Sequence, residues 1–269
     1  MAAFDVMQND PVRGEKIRSR AAENGVTIVG SLEELCSDSD FVISLTSPAV
    51  CVDVARQALP LLSAGQVFCD LNSADPVDMT AVDQLPRPEG VKFVDVGVMG
   101  SVPANKHKVK MYMAGDGANE FAEFLSRWNG IPKVIDAPAG GASAIKLLKS
   151  VFSKGLPQLF IETYAPAAAY GVLDEVLALT RDTFKKCNIE EWCDESLFRT
   201  LIHAKRRSAE AAASAKTVER LGFDASMSHA THKKLVQLAE QNYKDRIGDA
   251  EPNLRETIAM IVRDMRSSN

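Results

Sequence analysis

The chain has 269 residues, with 31 Lys and Arg against 36 Asp and Glu, a net charge of −5, and 46% apolar residues. That balance belongs to a soluble globular protein and excludes disordered and collagen-like chains. Its acidic sign argues against a nucleic-acid partner, and no apolar run approaches the roughly 20 residues needed to span a membrane.

Met1-Ala-Ala-Phe-Asp5 lacks the basic region and apolar core of a signal peptide, so a cytoplasmic location is expected. Cys36, Cys51, Cys69, Cys187 and Cys193 are odd in number and scattered without metal-ligand spacing. They read as reduced thiols, and no metal site is expected. The runs Lys106-His107-Lys108-Val109-Lys110 and Lys205-Arg206-Arg207 are the local candidates for anion sites.

Along the first half, short apolar runs alternate with amphipathic segments. Ala2–Met7 reads as a strand, followed by a turn at Asn9-Asp10-Pro11 and a helix from Pro11 to about Ala22, stopped by Asn24-Gly25. Val26–Val29 is a second β-branched run, and Ser31-Leu-Glu-Glu34 has capping-box spacing. Phe41–Leu45 is a third strand, followed by the turn Thr46-Ser47-Pro48 and a helix through Leu59. Gln66–Leu71 is a fourth, after which Asp75 caps a helix with Pro76 at its first position. Val91–Val96, Val109–Met113 and Lys133–Ile135 complete the strands, with a helix striped by Phe121, Phe124, Leu125 and Trp128 before the last. Continuous apolar strands alternating with helices predict parallel pairing with both faces covered. The expected class is α/β, a Rossmann-like, mostly parallel open sheet followed by an all-α C-terminal domain.

After Gly140-Gly141 the signal is helical to the end. A long helix is predicted from Ala142 to about Ala169, with apolar Ile145, Leu148, Phe152, Leu156, Leu159 and Phe160. Pro157 and Pro166 should kink or break it. Further helices are predicted at Leu173–Lys185, Asp194–Leu221, Ser228–Tyr243 and Asn253–Met265, the last with Asn253 in a capping pattern to Glu256. The expected division is 1–139 for the sheet domain and 140–269 for a helical substrate and dimerisation domain.

An open parallel sheet places its ligands at the carboxyl ends of its strands. A dinucleotide-binding sheet usually opens with a strand, Gly-x-Gly-x-x-Gly and a helix, and that fingerprint does not occur here. Asp5 nevertheless stands where a second strand carries its ribose-binding acid. The sequence reads as a dinucleotide-binding domain that begins one strand and one helix late, with unpaired strand edges and lowered stability or self-association expected. On this feature alone, the favoured reading of Asp5 is a plain strand-end residue.

Three segments carry a family likeness: Asp70-Leu-Asn-Ser-Ala-Asp-Pro76, Asp95-Val-Gly-Val-Met-Gly-Ser101 and Gly140-Gly-Ala-Ser-Ala-Ile-Lys146-Leu-Leu-Lys-Ser150. In that order and spacing they resemble the β-hydroxyacid dehydrogenases, which include 6-phosphogluconate and 3-hydroxyisobutyrate dehydrogenases. His203-Ala-Lys-Arg-Arg-Ser-Ala-Glu210, Leu221-Gly222 and Ser226-Met-Ser228 resemble a branch with a distinctive helical C-terminal domain. The resemblance implies hydride transfer between a nicotinamide and a hydroxyl-bearing carbon, with a lysine at the start of the interdomain helix as general acid/base. Lys146 falls at that position; the alternative is a solvated helix lysine like Lys149.

The resemblance further implies substrate contacts from Met99, Gly100, Ser101 and Ser150. Gly97 and Met99 replace the Pro and Ser of the family's substrate loop, and Ser150 replaces an Asn. A softer, more apolar contact follows, which opens the substrate range to a bulkier alcohol, a ketone or an imine. His203, Arg206, Arg207 and Glu210 can share a helix face, either closing over an anionic substrate or forming a salt-bridged or dimer surface. His107, His229 and His232 show no partner pattern and read as surface residues.

For the cofactor, Leu45, Thr46 and Ser47 are expected beside the adenosine–pyrophosphate side and Asn72 and Ser73 beside the nicotinamide ribose. Asp5 would receive the adenosine ribose hydroxyls. With no arginine following Asp5 to meet a 2′-phosphate, NAD is favoured over NADP. The expected protein is an NAD(P)-dependent oxidoreductase of small molecules acting as a homodimer. The rival is a non-catalytic binding or scaffold protein, or the product of a late start, that has lost dinucleotide binding.

Overall fold

The computed structural model describes residues 1–185, 187–248 and 253–266. The chain divides into two compact units, Met1–Phe152 and Ser153–Asn269. In the first, β1 (Ala2–Ala3) pairs in parallel with β2 (Thr27–Ile28), with α1 (Arg13–Glu23) between them. The predicted strand to Met7 stops early because Asp5 turns the chain, its side chain and carbonyl taking the amides of Met7 and Gln8. Asp10, not Pro11, sets the start of α1, its carboxylate accepting from Val12 and Arg13. In α2 (Leu32–Ser37), Ser31 accepts from the Glu34 amide, but Glu34 reaches back to Gly30, so the box closes one residue early.

The main sheet follows: β3 (Phe41–Ser44), α3 (Cys51–Ala58), β4 (Val67–Asp70), α4 (Pro76–Asp83), β5 (Lys92–Met99), α5 (Val102–Asn105), β6 (Lys110–Ala114), α6 (Ala118–Arg127) and β7 (Ile131–Val134). Asp75 caps α4 by accepting from Val77, with Pro76 in the first turn as the sequence predicts. Strand order is β3-β4-β5-β6-β7, parallel except for the antiparallel β5–β6 pair. The sheet is thus mostly parallel, as expected, with β5–β6 the exception. Residues 100–109 hold only a one-turn helix and a tight turn, too little for the crossover a parallel return requires.

The single predicted sheet is in fact two. Among the described residues no strand joins β1 to β3, and the edge of β3 away from β4 has no strand partner.

Side chains alternate across the main sheet, and in the central strands β4 and β5 both faces are buried. Phe68 and Phe93 pack with Leu59, Met79 and Val82 under α3 and α4. Val67, Val94, Val96, Met113 and Phe121 form the opposite core under α6. Trp128, predicted in the apolar stripe of α6, lies just past the helix end and is 65% exposed. Cys36, Cys51 and Cys69 are buried in these cores, whereas Cys187 and Cys193 of the second unit are half-buried.

α7 (Gly141–Tyr170) begins in the first unit and runs into the second as one helix through Pro157 and Pro166, where a kink or break was predicted and no break occurs. The remaining helices are α8 (Leu173–Lys185), α9 (Ile189–Ile202), α10 (Ala204–Arg220), α11 (Ser226–Ala239), α12 (Tyr243–Ile247) and α13 (Leu254–Arg266). The predicted helix Asp194–Leu221 is therefore two, and α9 starts earlier at a capping box between Asn188 and Glu191. His203 leaves helical geometry between them, and Leu201 and Ala204 on either side are both buried. The predicted helix Ser228–Tyr243 is also divided, at Asn242, which adopts the left-handed conformation that Asn tolerates.

His229 and His232, read as surface residues without partners, have partners that join α10 to α11: exposed His229 meets Glu219 at 2.7 Å and His232 meets the Ser208 carbonyl at 2.8 Å. Buried Glu162 of α7 accepts from the Met227 and Ser228 amides, both at 2.7 Å, and so caps α11. Glu162→Ala leaves two helix-end donors without that partner. It is expected to destabilise the second unit by about 1–3 kcal/mol, read as an earlier loss of helical circular dichroism on heating. No helix is long and apolar enough to cross a membrane among the described residues.

Candidate active site

The carboxyl ends of β3, β4 and β5 lie side by side, and β5 meets the first turn of α7. β3 ends at buried Ser44, and the next three residues, Leu45, Thr46 and Ser47, are exposed, Leu45 by 72%. β4 ends at Asp70, which is fully buried. Its carboxylate accepts from the Asn72 backbone at 2.8 Å and the Asn72 side chain at 2.9 Å. The same Asn72 amide donates to Ser44 Oγ at 2.9 Å and reaches Thr46 Oγ1 at 3.5 Å. Burial pushes the Asp70 carboxyl above its ordinary range, opposed by the bonds it receives from Asn72 and by the neighbouring Ser44 hydroxyl. Ser73, the next residue, is exposed.

β5 supplies a second fully buried carboxylate, Asp95. Its Oδ2 accepts from the Gly140 and Ser143 amides at 3.0 Å, and its Oδ1 accepts from Ser143 Oγ at 2.6 Å. Two residues on, Gly97 lies so close to α7 that a Cβ there would stand 2.6 Å from the Ala142 carbonyl oxygen. Gly140 has φ +95°, and a Cβ on it would meet the Pro76 carbonyl at 2.7 Å.

Lys146 follows in the next turn of α7 and is half-buried. Burial pushes its amine below the ordinary lysine range, while the charges of Asp95 and then Asp70 pull it back up. One amine therefore sits within electrostatic reach of two buried carboxylates, at the strand ends where an open sheet binds ligands.

Met99 ends β5 on the same face, and its Cε would lie 3.0 Å from a Cβ on Gly97. Gly100 follows, and Ser101 caps the short α5 by accepting from Ala104. Ser150 donates its hydroxyl to the Lys146 carbonyl, a bond within α7. Asp5 lies just past β1, exposed, with one carboxylate oxygen on the Met7 amide. His203, Arg206, Arg207 and Glu210 all belong to the second unit. Arg206 pairs with Glu210 on an exposed helix surface, Arg207 donates to Thr200 Oγ1 at 2.6 Å, and His203 marks the α9–α10 break.

Sequence reading had not singled out Ser44, Asp70, Asp95 or Ser143 as site residues, and took Gly97 only as a replacement in the substrate loop. Their signal was present: a carboxylate inside or ending an apolar strand demands a partner, and a glycine inside a strand marks close approach. Among the described residues no three of His, Cys, Asp and Glu are grouped to hold a metal.

Residues 4–127 match the NAD binding domain of 6-phosphogluconate dehydrogenase, and residues 167–238 match a domain of unknown function (DUF1932). An uncharacterized 28.5 kDa protein in the 7S RNA 5′ region of Methanothermus fervidus is 30% identical over 199 residues, 74% of this chain and 75% of that protein. The solved structure of a conserved protein of unknown function, itself similar to 3-hydroxyacid dehydrogenases, is 26% identical. It matches 89% of each chain with a TM-score of 0.60. The chain belongs to the β-hydroxyacid dehydrogenase-like family.

An imine reductase from Aspergillus terreus, in complex with NADPH4, shares the fold of this family member with a TM-score of 0.68. It covers 96% of this chain and 89% of its own at 15% identity. In this β-hydroxyacid dehydrogenase-like chain, the two domain matches leave residues 128–166 between them. That interval holds Gly140, Ser143 and Lys146, so their relation to the strand ends rests on the geometry alone.

Proposed function

We propose that the chain binds a nicotinamide dinucleotide and moves a hydride to or from a carbon bearing oxygen or nitrogen, with Lys146 as general acid/base. The observation that carries this reading is the half-buried Lys146, which lies one turn beyond the Asp95-bonded start of α7 and within electrostatic reach of buried Asp95 and Asp70. The donor set suits such a cofactor: exposed Leu45, Thr46 and Ser47 on its adenosine–pyrophosphate side, and the Asn72 amide with exposed Ser73 on its nicotinamide ribose. Asp5, with an exposed carboxylate, suits the adenosine ribose diol. When bound, the dinucleotide supplies or accepts the hydride.

Lys146 would give its proton to the developing alkoxide or amine in reduction and take it back in oxidation. Met99 offers a soft thioether, and the Ser150 hydroxyl is already spent on the Lys146 carbonyl. A ketone, alcohol or imine therefore suits this site better than a small hydroxyacid. Family membership supports the oxidoreductase class. Exposed apolar residues on α7 and α8, among them Ile161 and Leu179, support a homodimer.

Titration of the chain with NADH, followed by nicotinamide fluorescence, is expected to saturate in the micromolar range. Absence of saturation with both NADH and NADPH would overturn the reading in favour of a non-catalytic binding protein. Asp5→Ala is expected to weaken NADH by about tenfold, the loss of one charge-assisted bond, and NADPH by less. Equal losses for the two nucleotides would remove Asp5 from the cofactor site.

A further inference from the structure

We infer that Asp95, with Ser143 as its partner, is the positioning residue of this site: its carboxylate clamps the first turn of α7 to β5 and thereby fixes Lys146. The inference rests on the proposed role of Lys146 and extends it to residues that touch neither substrate nor cofactor.

Three bonds converge on this one carboxylate, from the Gly140 amide, the Ser143 amide and the Ser143 hydroxyl. A helix has unpaired amides in its first turn, and a carboxylate is the strongest neutralising partner for them. Asp95 is fully buried, so the arrangement exchanges no bonds with solvent. The bonds span 45 and 48 residues of chain, tying a central strand directly to the helix that carries Lys146.

Gly97 completes the fit, since the absence of a Cβ lets the Ala142 carbonyl approach β5. Lys146 is three residues beyond Ser143, less than one helical turn, so little can shift between clamp and amine. The groups that set the Lys146 charge are Asp95 on β5 and Asp70 on β4, both raising its proton affinity against burial.

Position and charge can be separated because of how Asp95 is bonded. In Asp95→Asn the carboxamide oxygen can keep both amides, while its NH2 faces the Ser143 hydroxyl, which can turn to accept. That variant preserves the clamp and removes the charge. Asp95→Ala removes both, and Ser143→Ala removes one bond and leaves the charge.

The test is the pH profile of Lys146 modification by trinitrobenzenesulfonate, quantified by peptide mass spectrometry on the full chain without nucleotide. Asp95→Asn is expected to lower the midpoint further below that of the parent chain, because a raising charge is lost. Asp95→Ala is expected to move Lys146 up toward the profile of a solvated lysine, and to lower turnover by about 100-fold, the effect of an ångström-scale misplacement. Ser143→Ala is expected to fall between the parent and Asp95→Ala.

Parent-like Lys146 profiles in both Ser143→Ala and Asp95→Asn would overturn the inference, and these two variants decide it even if Asp95→Ala does not fold. Because the profile needs no nucleotide, it can stand when hydride transfer fails. Conversely, turnover with unchanged profiles would sink the clamp and leave the enzyme reading intact.

Discussion

Lys146→Ala is expected to lower turnover by about 100- to 10,000-fold while leaving the nicotinamide titration close to that of the parent chain. The reason is that the amine is assigned to the proton, not to holding the dinucleotide. Its depressed proton affinity sets the sign of the pH response. In the oxidative direction the neutral amine is the working form, so the rate rises with pH and levels off below the ordinary lysine range. In reduction the ammonium is required, and the rate falls over the same interval.

Stability responds too. A lysine whose proton affinity is lowered by folding binds protons more tightly when unfolded. Its cost to the fold is present at neutral pH and is relieved as pH rises from the depressed folded value toward the unfolded one. Lys146→Met should therefore melt no lower than the parent at pH 7, despite being inactive. Parent-like turnover by either variant would remove Lys146 from the chemistry.

Gly97→Val is expected to have the second large effect, on stability and turnover together. A Cβ at this position would overlap the Ala142 carbonyl oxygen, and that oxygen belongs to helix backbone which cannot rotate away. Either β5 or the start of α7 must move. Overpacking of this kind costs about 1–3 kcal/mol, to be measured as a lowered urea midpoint. The accompanying displacement of Lys146 should reduce turnover by about 100-fold. Gly97→Ala should show both effects in milder form. A valine variant with the parent midpoint and turnover would mean that the close approach is not needed.

Much of the fold was legible where local chemistry is decisive. The Asp75–Pro76 start of α4 and both limits of α8 follow from capping and periodicity, and the structure has them there. Strands β4 and β5 were visible as apolar runs because both of their faces are buried. Strand direction was not legible between β5 and β6, since an apolar run carries no information about which way its neighbour points. The break at His203 was hidden because the apolar spacing continues across it.

At the candidate site, the likeness of three segments pointed to Lys146, but not to what holds it. The Asp95–Ser143 bond joins residues 48 apart, and no local pattern announces such a pair. Asp95 in an otherwise apolar strand signalled only that some partner had to exist. The engagement of Arg207 with Thr200, and of Ser150 with its own helix, likewise depends on side-chain placement that spacing cannot supply.

The distribution of thiols divides the molecule in a further way. Cys36, Cys51 and Cys69 are sealed within the sheet unit, and burial pushes all three thiols above their ordinary range. Cys187 and Cys193 in the helical unit remain partly accessible. A thiol reagent thus meets two sites in the native helical unit and three that become reactive only when the sheet opens. The chain carries its own clock for each half, so loosening of the nucleotide-binding scaffold can be timed separately from events among the helices.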